Sequence, residues 1–160
     1  MSRAFVKEQD DVYADQLPDR PDSGQPNYIT PKGLAALKER LLALVKEKQE
    51  LGDDAPALRP ELERDIPWLE GRIAKAIVLD PRKQAADEVQ FGATVDVLDP
   101  EDKKHKFAIV GEDEADAAKG RISWLSPLAK SLLGAKVGDT VVWKRPVGDL
   151  ELEIEKISYK

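Results

Sequence analysis

The sequence predicts an α+β protein in which an N-terminal α-helical hairpin precedes an antiparallel β-sheet domain. Leucines recur at helical spacing in the N-terminal half, whereas apolar and polar residues alternate from residue 89 onward. A chain of 160 residues has room for one small domain and a simple appendage. Charged residues make up 35% and aromatic residues 6%, which favours a modest core and a large solvated helical surface.

These patterns divide the chain into three segments. Residues 1–26 are rich in Asp, Pro and Gln and show no apolar period, so we predict a disordered acidic tail. Residues 27–82 carry the helical pattern and residues 83–160 carry the strand pattern. The tail is interpreted as a leader without a function of its own, with a functional arm as the alternative.

The first helix of the hairpin is predicted to begin at Thr30-Pro31. Thr30 is a good N-cap, and Pro31 fits the first helical position, where no backbone N–H is needed. Apolar residues then follow in one stripe along a helix: Leu34, Leu37, Leu41, Leu44 and Leu51.

A second arm is predicted to run from Pro60 to about Leu79, after a turn near residues 52–59. Its inward stripe contains Ile66, Leu69, Ile73 and Ile77 together with Leu58 or Leu62. Two arms of similar length, each roughly 30 Å long, predict an antiparallel hairpin packed as a coiled coil. Pro67 removes one helical hydrogen bond, so the sequence also predicts a kink or a late start in the second arm.

Five strands and one short helix are predicted in the C-terminal segment. The strands are predicted at residues 89–97, 104–110, 120–124, 140–145 and 150–159. Ser126-Pro127 begins the helix, which continues through Leu133 and ends at Gly134. We therefore expect a twisted antiparallel sheet wrapped on one helix.

Composition excludes several functional classes. The chain has no cysteine and one histidine, so disulfide frameworks and the usual zinc sites are excluded. It has no apolar run long enough to span a membrane and no signal-like start, which predicts a cytoplasmic protein with no membrane role. A net charge of −6 opposes direct binding to phosphate backbones. Contact with nucleic acid is therefore expected only indirectly, through a protein partner.

Several blocks of the sequence occur in the order found in a known family. They are F-G-A-T-V from Phe91, H-K-F-A-I-V-G-E-D-E-A-D from His105, I-S-W-L-S-P-L-A-K-S-L-L-G-A from Ile122, and V-G-D from Val137. The block N-Y-I-T-P-K-G-L-A-A-L-K-E-R-L from Asn27 fits the start of the same pattern. The chain resembles the bacterial Gre transcription elongation factors (GreA/GreB-like), over residues 27–159.

This resemblance implies a fold, a partner and a role. It implies an FKBP-like C-terminal domain that docks at the rim of the secondary channel of RNA polymerase, and a coiled coil inserted into that channel. The protein would be a monomeric accessory factor without enzymatic activity of its own, and polymerase would perform the chemistry. No tightly bound cofactor is implied.

At the hairpin tip, family members carry a segment like G-D-x-S-E-N-A-E-Y, whose acidic pair helps hold a catalytic magnesium ion in the polymerase. This chain has L-G-D-D-A-P-A-L-R-P-E-L-E instead, on a hairpin that we predict to be shorter. Asp53 and Asp54 are the candidate tip carboxylates and candidate ligands of magnesium shared with polymerase, because magnesium prefers carboxylate oxygens. Gly-Asp-Asp is equally typical of a plain turn. Glu50 and Glu61 are weaker candidates.

The resemblance also implies polymerase-facing residues in the C-terminal domain: Glu112, Asp113, Glu114, Ser123, Ser126 and Pro127. From the residues alone, the acidic run is a solvated loop that projects from a strand end. Ser126-Pro127 is fully explained as a helix cap. His105 has no identifiable catalytic partners nearby and is expected to be structural or exposed, and Trp124 and Trp143 are expected in the core.

Three functions follow from these features. The first is a secondary-channel factor that stimulates transcript cleavage by backtracked polymerase. The second is a non-cleaving channel binder that inhibits or competes with other channel factors, because the tip motif is absent. The third is a prolyl isomerase or chaperone, which the FKBP-like fold suggests by analogy alone. An isomerase pocket needs an aromatic-lined cleft, and this domain has few aromatic residues, mostly at strand positions that we expect to be internal, which disfavours this function.

Overall fold

The computed structural model describes residue 20 and residues 22–51, 59–83 and 87–159. Contacts divide the chain into two compact units. One contains residues 35–75 with the described residues up to 25, and the other contains residues 26–34 and 76–160. The first unit is helical and the second holds a five-stranded sheet and one short α-helix. The predicted α+β class, with a helical hairpin before a β domain, is confirmed.

Helices α1, Pro31–Leu51, and α2, Arg59–Lys75, form the hairpin. The start of α1 follows the predicted capping, because the Thr30 hydroxyl accepts a hydrogen bond from the Gly33 N–H at 3.1 Å. The described stripe members that lie within the two helices are buried or half-buried, whereas Ile77 lies beyond α2 and is exposed. Buried members are Leu37, Leu62, Ile66 and Leu69. Pro67 lies inside α2 at an exposed position.

The second arm ends earlier than predicted. Instead of continuing to Leu79, the helix stops at Lys75, and Ala76–Val78 forms strand β2. It pairs in parallel with strand β1, Asn27–Ile29, which directly precedes Thr30 and α1. The β-branched residues of this segment favour an extended backbone once a partner strand is present.

Two described residues within the predicted tail contact α2. The Arg20 guanidinium lies 3.9 Å from the centroid of the Trp68 ring, which is the geometry of a cation–π contact. The Asp22 carboxylate lies 3.4 Å from an Arg72 guanidinium nitrogen and 3.7 Å from the Lys75 ammonium. These contacts place residues 20 and 22 on the surface of α2.

The larger sheet has the order β5-β4-β3-β7-β6. Its strands are β3, Ala93–Leu98; β4, Lys104–Val110; β5, Arg121–Ser123; β6, Thr140–Trp143; and β7, Leu150–Tyr159. All neighbouring pairs are antiparallel except β4 and β5, which are parallel, so the predicted all-antiparallel sheet is corrected to a mixed one. Residues 111–120 form two short 3₁₀ turns that return the chain to the start of the neighbouring strand.

The core lies between this sheet and helix α3, Pro127–Leu132. The Ser126 hydroxyl caps α3 by accepting a hydrogen bond from the Ala129 N–H at 3.2 Å, as predicted. Side chains of α3 and of alternate strand positions are buried together: Leu128, Ala129, Leu132, Val95, Val97, Ile109, Leu152 and Ile154. None of the described helices is long and apolar enough to cross a membrane.

Candidate partner-binding site

The acidic run after β4 is a folded turn rather than a projecting loop. Glu112–Glu114 forms one 3₁₀ turn, and all three side chains are half-buried. Two hydrogen bonds between Gly111 and Glu114 close this turn. The Gly111 carbonyl accepts from the Glu114 N–H at 3.0 Å, and the Gly111 N–H donates to the Glu114 carboxylate at 2.9 Å. The predicted exposure of this run is therefore wrong, because the backbone turns inward to satisfy its own hydrogen bonds.

Glu114 joins the turn to the start of the first helix. Its carboxylate accepts a hydrogen bond from the Thr30 N–H at 3.1 Å and another from the Thr30 hydroxyl. A side chain at Gly33 would collide with that carboxylate, since a Cβ there would lie 2.2 Å from it. Glycine at this position thus lets the carboxylate reach the helix terminus. The sequence carries no local signal for this contact, which spans 84 positions.

A second turn follows the acidic one and leads into β5. The Asp116 carboxylate accepts a hydrogen bond from the Ala118 N–H at 3.2 Å, and Gly120 ends the turn with a left-handed φ of 71°. Only glycine adopts that conformation without strain. Asp116 therefore stabilises this turn through a hydrogen bond to its backbone.

The predicted polymerase-facing residues meet at one edge of the sheet. Strands β4 and β5 are parallel, so the acidic turn after β4 and Ser123 at the end of β5 lie at the same edge. The Ser123 hydroxyl accepts a hydrogen bond from the Leu125 N–H at 3.1 Å. This turn directly precedes Ser126, the N-cap of α3. Pro127, the first residue of α3, is exposed. Residues 112–114, 123, 126 and 127 thus form one surface, which we call the acidic-turn edge.

An aromatic cluster that the sequence analysis missed supports this edge. Trp124 packs edge-on against Tyr28 with 5.0 Å between ring centroids, and Tyr28 lies 6.0 Å from the ring of Phe91. The backbone N–H of Trp124 donates to Val110 at 2.9 Å. Strand β1 therefore packs beside the edge, a placement that only the tertiary fold determines.

The two candidate tip carboxylates, Asp53 and Asp54, lie outside the described residues. Within residues 20, 22–51, 59–83 and 87–159, no group of three or more His, Cys, Asp or Glu side chains is arranged to hold a metal ion. The magnesium expectation therefore remains a prediction based on the chemistry of two adjacent carboxylates.

His105 has an acidic partner that the sequence analysis did not identify. Its Nε2 lies 3.0 Å from the Asp99 carboxylate, and its ring stacks on Phe107. The hydrogen bond with His105, together with the backbone N–H groups of Lys103 and Glu101, lowers the pKa of Asp99 below its ordinary value. Asp99 directly follows β3 and His105 lies near the start of β4, so correct pairing of this hairpin would have indicated the contact.

This pair borders a cavity of about 370 Å³ on the core side of the sheet. Phe107 and Trp143 line it with ring centroids 6.3 Å apart, and the Arg145 guanidinium lies 5.3 Å from the Trp143 centroid. Both rings are half-buried and pack against the core. Trp143 thus packs against the core, as expected, and also borders this cavity. Among the described residues, the lining of this cavity contains no Ser, Thr or Cys side chain.

The family model for the C-terminal part of the transcription elongation factors GreA and GreB matches residues 83–159. GreB of Neisseria meningitidis serogroup B is 40% identical in an alignment that covers 83% of this chain and 94% of that protein. The chain belongs to the GreA/GreB family of transcription elongation factors.

A second relative agrees with this assignment. GreA of Zymomonas mobilis is 37% identical, over 79% of this chain and 85% of the relative. The structure of the GreA homologue Gfh1 of Thermus thermophilus aligns over 84% of this chain and 99% of that protein, with 25% identity and a TM-score of 0.42. As a GreA/GreB family member, the chain is an elongation factor, an accessory protein of transcription.

Proposed function

We propose that this GreA/GreB family protein binds RNA polymerase at its secondary channel and stimulates the polymerase's own cleavage of the transcript in backtracked complexes. Polymerase would be the enzyme, and contact with nucleic acid would occur only within the elongation complex. The observation that carries the proposal is the acidic-turn edge. It gathers the residues of two separate family blocks, at 112–114 and 123–127, on one surface.

The carboxylates of this edge fit a basic protein partner. Glu112 and Asp113 contribute carboxylates, and exposed Pro127 contributes a rigid apolar contact beside them. Glu114 has a different task in the proposal, because its carboxylate is bonded to Thr30 and Gly111. It would position the turn, and the neighbouring side chains would touch polymerase. Complementary charge would speed association and make binding weaken with added salt.

A substitution at Pro127 tests docking with little risk to the fold. Pro127→Glu keeps a residue that suits the first turn of a helix but places a charge on the proposed contact. We expect the full-length variant to compete about tenfold less well than the wild type with a GreA or GreB protein for core polymerase. Pro146→Glu, at an exposed site in the β6–β7 connection, is the matched control. Equal competition by the two variants would contradict docking through this edge.

The alternative function is docking to polymerase without stimulation of transcript cleavage. The sequence at the hairpin tip is the reason to consider it. The family's acidic tip segment is replaced by L-G-D-D-A-P-A-L-R-P-E-L-E. In the cleaving version, Asp53 and Asp54 would hold magnesium through their oxygens, and the ion would supply water activation and charge neutralisation. A transcript-cleavage assay on stalled, backtracked complexes separates the two functions. Shortened transcripts would support stimulation, and bound protein without them would support a competitor.

A further inference from the structure

A second cavity, of about 530 Å³, lies on the opposite side of the sheet from α3. Its floor consists of small side chains on β3 and β4, among them Thr94 and Ala108, which pair directly across the two strands. The rings of Pro31 and Pro81 line it as well. Its volume is in the range of small-molecule sites, which is roughly 300–1,000 Å³.

The wall at Pro81 is closely packed. A Cβ at Gly92 would lie 2.9 Å from the proline ring, so the bare backbone of Gly92 lies directly against it. Gly92 also has a positive φ of 89°, which disfavours any side chain there. Its N–H is bonded to the Ile109 carbonyl at 2.8 Å. The cavity therefore has a wall and floor that do not depend on flexible side chains.

Three cations line the cavity, from three separate segments: Lys32 in α1, Arg82 after β2 and Arg121 in β5. Two carboxylates also line it, which leaves one net positive charge in a chain whose net charge is −6. Asp80 is engaged by Arg82 through a two-pronged contact of 2.9 and 3.1 Å. Glu114 points its oxygens at Thr30 and Gly111.

Among the described residues, two of these cations have no carboxylate partner. Within the part of the chain that the structure describes, neither Lys32 nor Arg121 lies within ion-pair distance of an acidic side chain. Both side chains are exposed to solvent at the cavity. Arg82 adds further donors, since its pair with Asp80 uses only two of the five N–H groups of a guanidinium.

We propose that this cavity binds a small molecule that carries a phosphate group and a flat apolar part, the class represented by nucleoside monophosphates. Lys32 and Arg121 would bind the phosphate, because guanidinium and ammonium groups form their strongest hydrogen bonds with such oxyanions. The flat part would lie on the proline rings and on the face of the Arg82 guanidinium. The cavity shares Glu114 with the acidic-turn edge, but the proposed binding does not depend on docking to polymerase.

The test uses the full chain labelled with ¹⁵N and titrated with adenosine 5′-monophosphate, adenosine or inorganic phosphate. The nucleotide should shift the amide signals of Gly92, Thr94 and Arg121 and saturate at a lower concentration than either other probe. Arg121→Gln should weaken nucleotide binding about tenfold or more, because it removes the charge-assisted hydrogen bonds to the phosphate. Arg40→Gln, which removes the same charge from an exposed site on α1, should leave binding unchanged.

A second variant separates loss of charge from loss of shape. Ala108→Leu fills the floor of the cavity and keeps all three cations, so it should also weaken nucleotide binding while the chain remains folded by circular dichroism. Equal weakening by Arg121→Gln and Arg40→Gln would overturn the proposal, as would binding that survives Ala108→Leu. Adenosine that binds as well as the nucleotide would overturn the role of the phosphate.

Discussion

The carboxylate of Glu114 accepts hydrogen bonds from both the N–H and the hydroxyl of Thr30, although 84 positions separate the two residues. Thr30 in turn caps α1 through the Gly33 N–H. The 3₁₀ turn after β4 and the first turn of α1 therefore share one hydrogen-bonded cluster.

Replacing Glu114 with alanine should lower the free energy of unfolding by about 2–3 kcal/mol, because it leaves Thr30 and Gly111 donors without their acceptor. Glu114→Gln keeps one acceptor oxygen and should cost roughly half as much. Urea unfolding followed by circular dichroism measures both values. Glu155→Ala, at an exposed position of β7, is the control and should change stability by less than about 0.5 kcal/mol. Similar losses for Glu114→Ala and the control would refute the structural role.

The Asp99–His105 pair should make stability depend on acid pH. The pKa of Asp99 is lowered in the folded protein by its hydrogen bond with His105 and by backbone N–H groups. Its contribution is therefore present above the unfolded-state pKa of about 3.9 and is lost as pH falls through the lower folded-state pKa. Asp99→Asn should be less stable than the wild type at neutral pH, and the difference should shrink below about pH 4.

Urea midpoints at several pH values between 7 and 3 check this dependence. Asp149→Asn removes the same charge from an exposed site between β6 and β7 and should show no such convergence with the wild type. A constant gap between Asp99→Asn and the wild type across this range would show that the ionised carboxylate is not the stabilising form.

At the hairpin tip, replacing Asp53 and Asp54 together with asparagine keeps the size of the side chains and removes both charges. If these carboxylates help hold magnesium, the double variant should lose stimulation of transcript cleavage while its affinity for polymerase stays unchanged. Cleavage by backtracked complexes and competition for core polymerase are measured on the same preparations. Undiminished cleavage would remove both residues from the mechanism, and loss of both properties would indicate a structural role.

Local rules predicted the parts of this fold that depend on neighbouring residues. Thr30-Pro31 and Ser126-Pro127 begin helices as expected, because capping involves groups only three positions apart. Strand β4 occupies the predicted residues 104–110 for the same reason, since side-chain alternation is a local pattern.

Long-range pairing explains what the sequence could not predict. In the sequence, residues 76–78 fit the apolar helical stripe of the second arm. They form a strand instead, because β1, almost fifty positions earlier, provides a partner. The parallel pairing of β4 with β5 and the inward turn of Glu114 likewise depend on contacts between distant segments. The sequence predicts the acidic run as a candidate site, but the bonding of the Glu114 carboxylate to Thr30 and Gly111 depends on the tertiary fold.

The parallel pairing of β1 with β2 has a consequence for how this protein can vary. Paired strands lie about 4.8 Å apart, so the segments that precede α1 and follow α2 are held side by side, with Asn27 opposite Ala76 and Ile29 opposite Val78. Residues added in equal number to both arms would leave this pairing register unchanged. The length of the hairpin can thus change while the paired strands keep their sequence.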